Sequence, residues 1–218
     1  MIASHLDLIN IDLELAQELG GASLKQNKKN FLKVHRRLKE GIQELQNSSI
    51  YDFVFIDCPP NFNIVTKTAI VASSHLLIPA RPDYLSTIGI DYLIRQHKKL
   101  VRDYNEYIGF DNHQSDEEIF PRILGVIFNM VQLYSGKPIS ASRLTIQQTK
   151  KLGLYVFERY IRENKTLHSE AVQYGVPLAL KGFTGSSTEK YVIEEIEAFV
   201  DEFENQIEEK EAFDDIFE

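Results

Sequence analysis

A run of aromatic and β-branched residues at positions 51–56, YDFVFI, stops abruptly at Asp57, Cys58, Pro59 and Pro60. An apolar stretch of this length predicts a strand buried on both faces, as in a parallel sheet under helices. The prolines cannot extend a ladder, so the chain is expected to leave the sheet there in a stiff turn. Upstream, Phe31, Val34, Leu38, Ile42 and Leu45 fall on one stripe at helical spacing, which predicts a helix over 24–46. His35 lies beside that stripe with no second ligand in spacing, and reads as a packing or helix-surface residue. Downstream, the pattern predicts a helix containing 66–72 and a strand at 76–80 ended by Pro79 and Pro82. A long helix follows over 84–107, with Leu93, Leu100 and Tyr104 facing inward. The remaining elements are a buried strand at 122–130, a loop at 131–137, a helix over 140–151 and a final strand at 154–161. A helix starting near Leu167 ends before Gly175. The last helix, over 187–207, carries an inward stripe of Val192, Ile196, Phe199 and Phe203.

Charge alters this picture more than composition does. The 218 residues fit one large domain, and 43% apolar with 26% charged residues is ordinary for a globular chain. The net charge of −8 argues at first against nucleic acid. Residues 129–190, however, carry +5, and residues 191–218 carry −11. The third quarter is thus locally basic, and domain-wide charge is the wrong measure of what it contacts. The end of the chain, from residue 206 to 218, reads as a mobile acidic tail. Residues 109–119 read as a polar, acidic loop in which His113 is solvated.

Cysteine use and hydropathy narrow the setting. Cys58 stands alone, so there is no internal disulfide, which fits a reducing cytoplasm. With no evident base beside it, it reads as a small buried side chain rather than a nucleophile. No run approaches the ~20 apolar residues that span a bilayer. Asp7, Asp12 and Glu14 exclude a signal peptide. His168, Ser169 and Glu170 are consecutive at a helix start and point in different directions, which weakens any catalytic reading.

Several segments in order carry a resemblance: D-C-P-P at 57–60, a helix, an L-I-P strand, and Pro82-Asp83-Tyr84. GVIFNM at 125–130, IREN at 161–164 and SEAVQYGVPL at 169–178 continue it. The set resembles the ParA/Soj/MinD class of partitioning ATPases, from near residue 1 to about residue 205. The resemblance implies one α/β domain over 1–205 of P-loop NTPase (deviant Walker) type, a mostly parallel sheet with helices on both faces. It implies that Asp57 closes a Walker B strand and holds Mg²⁺ through water, while Pro59 and Pro60 shape a switch. Asn129 and Arg162 would line the adenine side. Family members bind Mg-ATP, form a sandwich homodimer, coat DNA nonspecifically and are released by a ParB-like stimulating protein. Such a protein is cytoplasmic and nucleoid-associated. Local charge and family position nominate Lys137, Arg143, Lys150, Lys151, Arg162, Lys165 and Lys190 for phosphate-backbone contacts; the alternative is a solvated face. Likewise, Asp57 can belong to an ordinary Asp-x-Pro-Pro turn, Asn129 to a strand-to-loop turn, and Asp83 to a helix N-cap.

One departure qualifies the resemblance. Family members open with K-G-G-x-G-K-T, and no G-x-x-x-x-G-K-[ST] occurs in these 218 residues. Without that loop there is no backbone cradle for the triphosphate. The expectation is therefore an N-terminally truncated member that does not hydrolyse ATP alone. The alternative is a non-catalytic module pairing with a full-length relative. Loss of the strand beside the Walker B strand would leave open ladder edges and favour an oligomer. A dethiobiotin-synthetase-like enzyme is a third candidate, disfavoured by the D-C-P-P to P-x-Y spacing. The acidic end has the wrong sign for anionic lipid, which argues against membrane attachment.

Overall fold

A computed structural model describes residues 8–21, 23–46, 51–109, 117–167, 175–176, 178–180 and 187–214. His113, the 168–170 trio and most of the segment at 169–178 lie outside these residues. The chain divides into two compact units, one running to Leu76 and adding Tyr92–Arg122, the other comprising Leu77–Asp91 and the residues from Ile123 onward.

The first unit is helical. Helices α1 (Leu8–Leu19), α2 (Leu24–Gln46) and α3 (Ile64–Val71) join the later turns of α4 (Tyr84–Ile108). Their core is Leu32, Ile70, Val71, Leu100, Tyr104 and Ile119, with Phe31 and Tyr107 packed against it. The stripe expected on α2 is borne out at Val34 and Ile42, and the buried arc is wider, taking in Leu32 and His35. Polar side chains fix the ends. Asp12 of α1 accepts hydrogen bonds from the Asn63 amide and the Val65 N–H, while Asn63 caps α3 by accepting from Thr66 N at 3.1 Å. Arg37 of α2 makes two bonds to the Glu18 carboxylate, at 3.1 and 2.6 Å.

Residues 51–60 correct the sequence expectation. They form no strand, and Tyr51, Phe53, Val54 and Phe55 are exposed, Phe55 by 75%. Cys58, expected inside, is exposed as well. The reason is physical: burial on both faces needs neighbouring strands, and none of the described strands pairs with this segment.

The second unit holds the sheet. Strands β1 (His75–Ala80) and β2 (Arg122–Val131) are followed by the short β3 (Leu133–Tyr134) and β4 (Lys137–Pro138). Then come α5 (Ser140–Lys150), β5 (Val156–Arg162) and α6 (Ser187–Asp214). The order is β1-β2-β5, with β2 and β5 parallel. Pro79 lies inside β1 rather than ending it, as an edge position allows. In central β2, Leu124, Val126, Ile127 and Phe128 are all buried, as both faces of a parallel strand require. Gly125 is needed there, because a Cβ would meet the Tyr155 carbonyl at 2.8 Å.

The stretch after β2, expected to be a loop, is an antiparallel hairpin with Leu133 opposite Pro138. Ser135 (φ 49°) and Gly136 (φ 75°) supply the two positive φ values that such a tight turn demands. Helix α6 buries Val192 and stacks Phe199 against Phe157 at 5.4 Å between ring centroids. It also runs to Asp214, beyond the expected start of the tail. Glutamate is a good helix former and no Gly or Pro interrupts these turns, so helix continues without an apolar stripe.

Candidate functional site at the strand ends

Ligands of open parallel sheets bind beyond the carboxyl ends of the strands. In the second unit this edge is formed by β2 and β5, where Val131 is in register with Arg162. Asn129 lies half-buried near the end of β2. It is followed by exposed Met130, whose φ of 52° places a non-glycine residue in the left-handed region. The irregular register between Phe128 and Val131 marks the same bend. Beyond it, Glu163 N–H donates to the Val131 carbonyl at 3.0 Å, and the Gln132 amide donates to the Glu163 carboxylate at 2.9 Å. The two strand ends are thereby tied together, with Asn129 and Arg162 close to the ends of their strands.

Arg162 is already engaged. Its Nε and Nη2 donate to Glu195 Oε1 at 2.8 and 2.6 Å, and its backbone N–H donates to Glu195 Oε2 at 3.2 Å. The guanidinium also lies 5.4 Å from the Tyr191 ring centre. The Glu195 hydrogen bond raises the basicity of Arg162 further, and burial with the Glu195 charge raises the Tyr160 phenol. Two of its five N–H donors are thus spent on Glu195, whose carboxylate also balances its charge.

Two turns further along α6, Glu202 accepts from Tyr155 Oη at 2.7 Å, Glu158 N at 2.7 Å and Arg159 N at 3.0 Å. Glu195 and Glu202 are seven residues apart on one helical face and take up backbone donors along β5. Neither was among the residues expected from the sequence. Their i, i+7 spacing beside the Val192 stripe is the signal that was there to be read.

The remaining nominated cations sit around this unit. Lys137 is on the hairpin, Arg143 and Lys150 are on α5, and Lys151 is its C-cap. These four have no acidic partner among the described residues, and Lys150 and Lys151 complement the helix C-terminus. Lys165 lies 3.8 Å from Glu163, and Lys190 3.6 Å from Glu194 one turn on. In the other unit, Asp57, Pro59 and Pro60 are exposed on the extended segment. Asp83, at the turn after β1, accepts the Ser86 N–H at 2.9 Å, the N-cap geometry for α4, and this bond holds its carboxyl below the usual range.

Asp57 is exposed, and no cluster of three metal-ligating side chains exists among the described residues. The backbone cradle has no counterpart in the sequence.

The fold is a parallel sheet with helices, and comparisons agree. A family model described as an AAA domain matches residues 1–110. The chain belongs to this family, in its ParA/Soj type of partitioning ATPases. The chromosome-partitioning ATPase Soj of Treponema pallidum is 28% identical over 65% of this chain and 49% of its own length. The sporulation initiation inhibitor Soj of Bacillus subtilis is 25% identical over 72% of this chain and 54% of its own length. The chain thus spans about half the length of these relatives. Among solved structures, apo McdA of Cyanothece matches with TM-score 0.59 at 22% identity, covering 88% of this chain and 65% of that one. The ATP complex of a substituted Cyanothece McdA matches with TM-score 0.57 at 22% identity, covering 87% and 62%. No helix among the described residues is long and apolar enough to cross a membrane.

Proposed function

We propose that this chain supplies the sheet-edge and DNA-facing portion of a ParA/Soj-type partitioning ATPase, and that alone it does not turn over ATP. The observation that carries this reading is the contrast between two regions. The ends of β2 and β5 are tied together by hydrogen bonds from Glu163 N–H to Val131 and from Gln132 to Glu163, whereas Asp57 sits on an exposed segment and the sequence has no glycine-lysine loop. In the family role, Mg-ATP drives homodimerisation, the dimer binds DNA nonspecifically, and a ParB-like protein triggers release, all in a cytoplasmic, nucleoid-associated setting. Asn129 would then read the adenine edge, since an amide both donates and accepts. Lys137, Arg143, Lys150 and Lys151 are the cations best placed for phosphate contacts, because no carboxylate neutralises them among the described residues. Arg162, Lys165 and Lys190 are assigned a lesser share.

Titration of the chain with Mg-ATP tests this. The expected result is no micromolar binding and no phosphate release; turnover overturns the reading. Duplex DNA binding is expected to weaken steeply with salt, and to weaken further in a Lys150→Gln/Lys151→Gln variant.

A second reading is a non-catalytic module that pairs with a full-length relative. Exposed Phe53 and Phe55 support it, as does the position of β1 at the edge of its sheet. Sedimentation of the chain with and without such a relative distinguishes the two: a stable mixed complex without nucleotide favours pairing.

A further inference from the structure

Strand β5 departs from regular pairing in its middle. From Val126 to Phe128 β2 advances two residues, while their partners on β5, Val156 and Tyr160, lie four apart. The surplus is a bulge, which releases backbone groups from the ladder and re-aims them. Successive N–H groups of a regular strand point to opposite sides. Here those of Glu158 and Arg159 converge on one carboxylate, Glu202, at 2.7 and 3.0 Å, and Tyr155 Oη joins them at 2.7 Å. Converging backbone donors of this kind form an anion-binding concavity.

A second anion position follows on the same strand, where the Arg162 guanidinium and backbone N–H take Glu195. Both occupants come from one helix, in a part of the chain that carries −11 over residues 191–218. The donors stay within reach of solvent, for Tyr155 is 37% exposed and Glu158 and Arg159 are exposed as well. Helix α6 itself is pinned, since Val192 is buried and Phe199 packs on Phe157. Competition for the donors therefore takes place at the two carboxylates, without undocking of the helix.

We propose that Glu195 and Glu202 are autoinhibitory occupants of a phosphate-binding strip on β5, holding donors that would otherwise engage a nucleic-acid backbone. A carboxylate and a phosphate oxygen make the same charge-assisted bonds to a guanidinium and to N–H groups, so one stands in for the other. Glu158 brings its own negative side chain to the Glu202 position, next to the positive Arg159, so the larger share of the effect falls at Arg162. The inference rests on the reading that this unit contacts DNA, and the test separates the two.

The test is fluorescence anisotropy of a labelled duplex of arbitrary sequence, titrated with the full chain and its variants across a salt series. Glu195→Gln/Glu202→Gln keeps an acceptor oxygen at each position and removes both charges. It is expected to bind about five- to tenfold more tightly, with a salt dependence steeper by about one phosphate contact. Glu197→Gln/Glu204→Gln removes the same charge at the same spacing from exposed positions of α6, and should change affinity by less than about twofold. Adding Arg162→Met to the first variant should abolish its gain. Melting checks that each form is folded; where the double variant is not, Glu195→Gln alone carries the test, with a gain of about threefold. Unchanged affinity in the first variant, an equal gain in the exposed-face variant, or a gain that survives Arg162→Met overturns the inference and leaves DNA binding by the other cations standing. Failure of every form to bind the duplex, even at low salt, overturns both.

Discussion

Glu195 holds Arg162 twice over, by its guanidinium and by its backbone N–H, joining the end of β5 to α6. Removing the carboxylate strands both donors where they are only partly exposed. Glu195→Ala is expected to cost about 2 kcal/mol in urea denaturation. Arg162→Met should cost less, since the N–H keeps its acceptor. A double-mutant cycle should return a coupling of about 1 kcal/mol or more; additive losses would show that the pair contributes only packing.

His35 should make the first unit acid-sensitive. Its Nδ1 lies 2.8 Å from the Phe31 carbonyl and its ring stacks on Phe31, while burial pushes its pKa down to about 4. The folded state keeps the ring neutral, whereas the unfolded chain takes up a proton below about pH 6.5. The associated stability is therefore complete above pH 6.5 and lost as pH falls towards 4, by up to ~3 kcal/mol. His35→Leu should flatten this part of the stability–pH curve. A curve of unchanged slope in that variant would place the acid sensitivity elsewhere.

At Gly125 a single methyl group has nowhere to go. The Tyr155 carbonyl at 2.8 Å is backbone and cannot rotate aside. Gly125→Ala is expected to destabilise by about 1–3 kcal/mol through separation of β2 from β5. Thermal melting checks it; a loss under about half a kcal/mol would mean the strands part cheaply there.

Phe53 and Phe55 offer a handle on self-association. Their rings lie 6.0 Å apart on a segment with no strand partner among the described residues. Phe53→Lys/Phe55→Lys should shift sedimentation toward the monomer with little effect on melting. Unfolding of the double variant, or an unchanged distribution of species, would show that these rings serve some other contact.

Much of the fold was legible because helices carry their own signal. The spacing of Val34 and Ile42, the cap at Asp83 and the Val192 stripe are local patterns, and the structure follows them. The segment at 51–56 and strand β2 show the limit. Both read as apolar runs, yet only β2 has neighbours on each side, and strand state depends on those neighbours rather than on the run itself. The strand-end rim was half readable: Asn129 and Arg162 follow from the resemblance, but the engagement of Arg162 by Glu195 spans 33 residues and leaves no local trace.

The carboxylates of α6 give the sheet a receptive side and a sealed side. Glu195 and Glu202 occupy backbone donors of β5 that an added strand would need, while β1 has no strand on its outer side among the described residues. Two copies joining through β1 would use up both available borders in one twofold step, with nothing left to recruit a third. In such a pair it would be two side chains on a helix, not a turn or a proline, that limit further growth.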